Sequence, residues 1–290
     1  MKKSKAVQTT RSEKITKTIY FFVFVFFTFL FLYPIWWMLI NSLKTSKEIL
    51  QSPTALPTDW TNFGNYIRIF GDFRYKDYYY TDMLFNSLWI TFVQIFVNLL
   101  SSVLLAYPIA KFRFPGRNLL YSLVIFANTI PIFGAATTKY KLMMSLNMID
   151  NPFLIWLSWA GGFDFAFIVF YGTFKGISNS YLEAASIDGA KDFYILFRIV
   201  MPQAITSIVA LAITQAIPAW NDYTTSMINL RSYPNLAYGL YCFQQESRYM
   251  TNSKAIYYSA AMISMIPPLL LYACNQKMIL SNISAGGIKG

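Results

Sequence analysis

Asp164 is an acidic residue inside an otherwise apolar run that extends from about residue 152 to residue 174. An ionised carboxylate is costly inside a membrane span, so such a residue faces either the interior of a helix bundle or a water-filled cavity. There it would either contact a polar solute or accept structural hydrogen bonds from a neighbouring helix. The sequence leaves both roles open.

Two further groups of residues could bind a polar ligand. Trp220, Asn221 and Tyr223 combine flat ring faces with hydrogen-bonding edges, which suits a sugar ring. Aromatic residues at the end of a span also serve as anchors at the membrane interface. Asn128 and Thr129 lie just before a proline, where a helix break exposes backbone groups. These five residues join the acidic one as candidate contacts along a solute pathway.

Catalytic chemistry has little support in this chain. Histidine is absent from the 290 residues, so the usual proton shuttle and a common metal ligand are missing. No nucleophile–base pair or metal-ligand cluster is apparent, and no stretch has the Gly-x-x-x-x-Gly-Lys-Ser/Thr spacing of a phosphate-binding loop. We therefore predict a non-enzymatic chain that binds no metal and no cofactor.

The composition is that of an integral membrane protein. The chain is 56% hydrophobic and 13% charged, whereas about a quarter of the residues are charged in a typical soluble domain. The net charge of +11 comes mostly from span ends and loops, so membrane topology explains it without nucleic acid. Cys242 and Cys274 are predicted on opposite sides of the membrane, without a disulfide between them.

Six apolar stretches of about 20 residues each predict an all-α protein with six transmembrane helices. They cover about 19–40, 82–108, 118–136 (broken near 128–131), 152–174, 202–221 and 254–273. The second stretch carries polar side chains that need partners inside a bundle: Asn86, Gln94, Asn98, Ser101 and Ser102.

The predicted organisation is a tail over residues 1–18, a six-span domain over 19–275 and a second tail over 276–290. The basic N-terminus and the basic turn at 111–117 place both termini inside the cell. The first apolar run extends past Trp37 without a small-residue cleavage site, so it is predicted to be an uncleaved span.

The loop over residues 175–201, between the fourth and fifth spans, is polar and helix-forming. Ser180 followed by Glu183 predicts a capping box, and Gly189 can end a short helix in the left-handed conformation. Pro202 suits the first turn of the helix that follows. We expect a short helix, a sharp turn and a second helix across the mouth of the bundle. An ordinary amphipathic connector is the alternative.

The loop resembles the cytoplasmic loop of ABC importer permeases. The resemblance is carried by Glu183-Ala184-Ala185, by Asp188-Gly189-Ala190, and by Ile199 and Pro202. It implies that the loop forms a coupling helix that docks into a groove on an ATP-hydrolysing subunit. Glu183 would then face a basic side chain of that subunit, and Gly189 would set the turn.

Other stretches resemble the carbohydrate-uptake branch, and within it the smaller permease subunit of maltose-type transporters. They are Asn86-Ser87, Ala106-Tyr107, Lys111 to Arg117, Trp220-Asn221-Asp222, Gln276 and Ser284 to Gly290. The resemblance implies that Gln276, Gly286, Gly287 and Lys289 face the ATPase subunits. The outer segment 72–80 is longer than the family pattern, and Asp164 is an unusual charge for the fourth span.

The implied function is that of a bacterial cell-membrane permease subunit in a binding-protein-dependent importer of a carbohydrate, most simply an oligosaccharide. Its partners would be a larger permease subunit, two copies of an ATPase that use ATP and Mg, an extracytoplasmic solute-binding protein and membrane lipid. Nucleic acid would not be a partner, and the larger permease subunit would supply much of the sugar site. The alternatives are an ion-gradient-driven secondary transporter, or an importer of a polyol, glycerol phosphate or acidic oligosaccharide.

Overall fold

A computed structural model describes residues 11–130, 134–247 and 253–286, and these are mainly helical. The helices are α1 (Arg11–Ser42), α2 (Ser46–Gln51), α3 (Gly64–Asp72), α4 (Tyr80–Lys111), α5 (Arg117–Thr129), α6 (Ala135–Ser145), α7 (Trp156–Trp159), α8 (Phe165–Gly176), α9 (Asn179–Ile187), α10 (Asp192–Ile195), α11 (Met201–Gln203), α12 (Ile205–Trp220), α13 (Leu236–Ser247), α14 (Lys254–Ser264) and α15 (Ile266–Gly286). Leu196–Val200 and Thr225–Asn229 are π-helical turns, and strands β1 (Arg74–Tyr75) and β2 (Tyr78–Tyr79) form an antiparallel hairpin.

Among the described residues, three helices are long and apolar enough to cross a membrane: Ser12–Ser42, Tyr80–Lys111 and Lys254–Gln276. A fourth candidate is the pair Asp192–Gln203 and Ile205–Trp220, which is bent by 76°. These helices agree with the first, second, fifth and sixth predicted spans. α5 ends at Thr129, where the third span was expected to break.

The fourth predicted span is wrong as a single helix. Residues 152–174 contain the one-turn helix α7, an irregular segment over 160–164, and then α8. The helix restarts because the Asp164 carboxylate accepts the backbone N–H groups of Ala166 and Phe167 and so caps α8. The charge that looked unusual for a span is therefore located at a helix terminus.

The described chain forms two units. The first comprises residues up to 73 together with 244–263, and the second comprises 74–243 together with residues from 264 onward. In the first unit, α1 is followed by α2 and α3. The fully buried Lys44 lies in the turn between α1 and α2. Its ammonium donates to Asn41 Oδ1 and to the backbone oxygens of Ser52 and Pro53. Burial lowers the pKa of Lys44, and the nearby Glu48 carboxylate opposes that shift.

The second unit has its main core where α4, α8 and α12 pack together. One buried cluster includes Val103 and Ala106 of α4, Phe167 and Phe170 of α8, and Leu211 of α12. α4 is continuous over 32 residues. It therefore runs from the β-hairpin at one end to the polar loop at the other, with side chains along the whole distance between them.

Candidate functional site

The N-cap of the loop helix α9 lies two residues earlier than the prediction. Its N-cap is Ser178, whose hydroxyl accepts the backbone N–H of Ser180, so the expected capping box of Ser180 with Glu183 is wrong. Local sequence offered two serines two positions apart, and the chain leaving α8 places the first of them at the cap. Glu183 is consequently not needed as a cap and is exposed on α9.

The end of α9 agrees with the prediction. Gly189 has φ of +81°, in the left-handed region. The N–H of Ala190 bonds to the oxygen of Ala185, and the N–H of Gly189 bonds to that of Ser186. These are bonds of the kind that close a helix C-terminus around a left-handed glycine. The chain then turns sharply into α10.

The loop presents a mixed apolar and charged surface. Its largest exposed apolar side chains are Ile187, 86% exposed, with Tyr181, Phe193 and Tyr194. Beside them, a groove of about 660 Å³ is lined by Ala185, Asp188, Gly189, Lys191, Tyr194 and Arg198, among others. The structure thus brings the predicted residues Ala185, Asp188 and Gly189 together, whereas Ala184 and Pro202 do not line this groove.

Lys111, the last residue of α4, joins that helix to the loop. Its ammonium donates to the backbone oxygen of Ile177, at the end of α8, and to Asn179 Oδ1 at 2.9 Å. Asn179 is the first residue of α9. Lys111 therefore links the end of α4 to the end of α8 and to the first residue of α9.

Asp164 is the centre of a polar network in the interior of the same unit. Its Oδ2 accepts from Asn98 Nδ2 at 2.7 Å, and its Oδ1 accepts from Ser102 Oγ at 3.2 Å, in addition to the two capping N–H groups. Asn98 Oδ1 in turn accepts from Gln215 Nε2 at 2.9 Å. The carboxylate thus links α4, α8 and α12 through side-chain hydrogen bonds.

This network borders a cavity of about 710 Å³. That volume lies within the range of about 300–1,000 Å³ usual for small-molecule sites. Among its lining residues are Gln94, Asn98, Lys139, Ser158, Trp159, Asp164, Phe165, Thr214, Gln215 and Asp222. A polar solute in this cavity would contact several polar side chains.

The other predicted pathway residues lie outside this cavity. Asn128 donates to the backbone oxygens of Val124 and Phe163, and the hydroxyl of Thr129 donates to its own helix. Trp220 donates its indole N–H to the backbone oxygen of Ser264. The Asn221 amide donates to the helix oxygen four residues earlier, and Tyr223 stacks on Tyr241 with ring centroids 5.1 Å apart.

Two of the four tail residues predicted to face an ATPase lie among the described residues. Gln276 is an exposed residue of α15, and Gly286 is the last residue of that helix. Gly287 and Lys289 lie outside the described residues.

Sequence reasoning did not assign the cavity residues Gln94, Asn98 and Gln215 to a site. A signal was available in α4, because Gln94, Asn98 and Ser102 recur at intervals of four residues and so share one helix face. Gln215 had no comparable pattern around it, and only its packing against α4 identifies it.

The apolar helices, the polar interior and the exposed loop helix define a membrane-embedded transport subunit. A family model described as "Binding-protein-dependent transport system inner membrane component" matches residues 99–284, more than half of the chain. The chain belongs to this family, and the resemblance to ABC importer permeases is confirmed.

Curated relatives and a solved structure agree with this membership. The chain is 28% identical over 256 residues to the diacetylchitobiose uptake system permease protein NgcG of Streptomyces coelicolor, covering 87% of this chain and 82% of that one. It is 27% identical over 277 residues to the arabinooligosaccharides transport system permease protein AraQ of Bacillus subtilis, covering 92% and 94%.

The solved structure is a bacterial ABC transporter involved in the import of the acidic polysaccharide alginate. One of its chains is similar with a TM-score of 0.79 and 25% identity, over 94% of this chain and 99% of that one. A further relative, at 25% identity over 89% of each chain, is the sulfoquinovosyl glycerol transport system permease protein SmoH of Agrobacterium fabrum.

Proposed function

We propose that this chain is one of two different permease subunits in a binding-protein-dependent ABC importer of an oligosaccharide. The single observation that carries the coupling part of this proposal is the surface of the loop helix. Ile187, Phe193 and Tyr194 are strongly exposed beside charged side chains. Large exposed apolar groups rimmed by polar ones mark a protein interaction site.

The proposed complex contains a larger permease subunit, two ATPase copies that use ATP and Mg, and an extracytoplasmic solute-binding protein. The chain itself hydrolyses nothing. In this proposal it has six spans, both termini in the cytoplasm and the loop over residues 175–201 on the cytoplasmic side. The tail residues Gln276, Gly286, Gly287 and Lys289 then face the ATPase subunits.

The loop helix is the proposed coupling element. Glu183 is exposed and free to pair with a basic side chain of the ATPase, while Asp188 and Gly189 shape the groove beside it. Ala184 and Ala185 add little bulk and permit close approach. Pro202 begins the segment that leads into α12. Closure of the ATPase pair would displace α9 as a rigid body.

The displacement has a route into the transmembrane bundle. Lys111 holds the first residue of α9, and the same helix that ends at Lys111 carries Asn98 and Ser102, which bind Asp164. Moving α9 would therefore shift α4 relative to α8 and change which side of the membrane the interior faces. That change is the alternating-access step of import.

The test is co-purification of the tagged chain from its native membrane, followed by an ATPase assay with and without its binding protein. The expected result is a complex with a second permease and two ATPase copies, whose ATP hydrolysis rises when the loaded binding protein is added. A chain that purifies without an ATPase, or a complex with no ATPase activity, would refute the proposal and favour an ion-driven carrier.

A further inference from the structure

The polar groups that line the cavity beside Asp164 differ in whether they can donate or accept a further hydrogen bond. This difference indicates the class of ligand that fits the cavity. The cavity lies within the second unit, among α4, the α7–α8 segment and α12, and it is separate from the loop groove. Two aromatic rings, Trp159 and Phe165, line it together with the polar side chains. The question is which of those polar groups remain free for a ligand.

The Asp164 carboxylate sets the orientation of the two neighbouring amides. An ionised carboxylate only accepts hydrogen bonds, so Asn98 must turn its Nδ2 toward Asp164. Its Oδ1 then accepts from Gln215 Nε2. The side-chain carbonyl oxygen of Gln215, Oε1, then has no hydrogen-bond partner among the described residues. The network thus presents an acceptor to the cavity.

The remaining fixed groups are also acceptors. The Ser158 hydroxyl donates its proton to the oxygen of Ile155 at 2.7 Å, and that of Thr214 donates to the oxygen of Leu211 at 3.0 Å. Each hydroxyl has a single proton, so only lone pairs remain for a ligand. Gln94 Oε1 is buried and has no partner among the described residues. A buried acceptor of this kind calls for a donor.

We propose that this cavity binds a ring of an uncharged sugar, whose hydroxyl groups donate to Ser158, Thr214 and Gln215, and to Gln94 once its buried Oε1 turns toward the ligand. This inference rests on the proposed import function and specifies its substrate class. The flat apolar face of a sugar ring can lie against Trp159 or Phe165, as sugar rings commonly do against aromatic side chains. This chain then contributes directly to the sugar pathway, beside whatever the partner subunit supplies.

An anionic sugar fits this cavity poorly. Asp164 and Asp222 add two carboxylates to a wall that is already rich in acceptors. Both carboxylates are held by internal donors, Asp222 by Thr224 and Thr225. Lys139 is the sole cationic lining residue among those described, and it is exposed. The cavity is therefore selective against a carboxylate or sulfonate group, unlike the cargo named for the alginate and sulfoquinovosyl glycerol systems.

The test uses the complete complex in proteoliposomes with its binding protein and two sets of probes. The neutral set is maltotriose, arabinotriose and diacetylchitobiose, and the anionic set is trigalacturonate and an alginate trimer. We expect ATP-driven import of a neutral probe. Import confined to the anionic set would overturn this inference, and no ATP-driven import of any probe would contradict the proposed function instead.

Two substitutions test the cavity at saturating loaded binding protein. Gln94→Leu and Gln215→Leu each remove an acceptor, and each is expected to lower the import velocity about 3- to 10-fold, the range for one neutral hydrogen bond. Gln51→Leu, at an exposed position of α2, is the matched control and should import at the wild-type velocity. Wild-type velocities in both cavity variants would refute the assignment.

Gln94→Glu separates ligand binding from packing. It keeps acceptor oxygens and the side-chain shape, so it should import neutral sugar faster than Gln94→Leu. If Gln94 served packing alone, the added charge would make the Glu variant the worse of the two. That opposite order of velocities would also overturn the proposal.

Discussion

Replacing Asp164 is the most informative single change, because this carboxylate accepts four hydrogen bonds from two different helices, α4 and α8. Asp164→Asn preserves the side-chain shape and the helix cap but exchanges one acceptor oxygen for an amide nitrogen. That nitrogen would face Asn98 Nδ2 across 2.7 Å, donor against donor. The clash is relieved only if Asn98 turns over and Gln215 turns with it, since the two amides are bonded to each other.

The magnitudes follow from the bonds that are changed. Asn caps a helix about as well as Asp, so the loss in Asp164→Asn lies in the bonds to Asn98 and Ser102, which become neutral. Each conversion costs about 1 kcal/mol, giving about 2 kcal/mol in total. Asp164→Ala loses the cap as well and leaves two donors unpaired, which together costs about 5 kcal/mol.

The assay is thermal denaturation of the purified chain in detergent micelles, followed by import measurements on the assembled complex. The denaturation midpoint should fall in the order wild type, Asn variant, Ala variant. Asp77→Asn, at an exposed position in the β-hairpin, should not shift this midpoint. In the Asn variant the inverted Gln215 presents a donor to the cavity, so neutral-sugar import should also decrease. An Asn variant as unstable as the Ala variant, or two variants indistinguishable from the control, would refute this reasoning.

Three further changes test other parts of the structure. Gly189→Pro cannot adopt the observed φ of +81°, so it should leave membrane insertion intact but abolish the stimulation of ATP hydrolysis by loaded binding protein; normal uptake would contradict this. Lys44→Met removes an ammonium that binds three oxygens, which should destabilise the first unit by about 1–3 kcal/mol, whereas the exposed Lys47→Met should leave the denaturation midpoint unchanged. Lys111→Met should reduce the sugar imported per ATP hydrolysed and Lys111→Arg should restore most of it, while equal ratios in both variants would argue against a link through this residue.

Much of the fold was accessible from the pattern of residues. Long apolar runs predicted α1 and α4, and the alternation of start and stop signals predicted a loop helix that ends at Gly189. These features depend on side chains acting on their own stretch of backbone, so local sequence suffices. The cap of α9 shows where this reasoning stops, because Ser178 and Ser180 are both competent caps and only the path of the chain leaving α8 selects between them.

The candidate site was harder to predict from the sequence than the fold. Asp164 stood out as a charge in an apolar run, but its role depended on donors 62 and 66 residues away in the chain. The break in the fourth predicted span could not be predicted either, because a continuous apolar run is equally compatible with one helix or two. The ring chemistry of Trp220 and Tyr223 predicts a sugar contact, but these residues bond to Ser264 and stack on Tyr241 outside the cavity.

The amino-acid sequence by itself therefore determined a membrane-spanning helical protein of this transporter family, with a short capped helix displayed on one polar loop. Hydropathy and backbone preference depend on residues that are neighbours in the sequence, so they can be predicted without a structure. The tertiary structure alone decided that Asn98 and Gln215 are oriented by one carboxylate. That orientation leaves acceptors facing the cavity, because the direction of a hydrogen bond depends on which side chains the packed helices bring together.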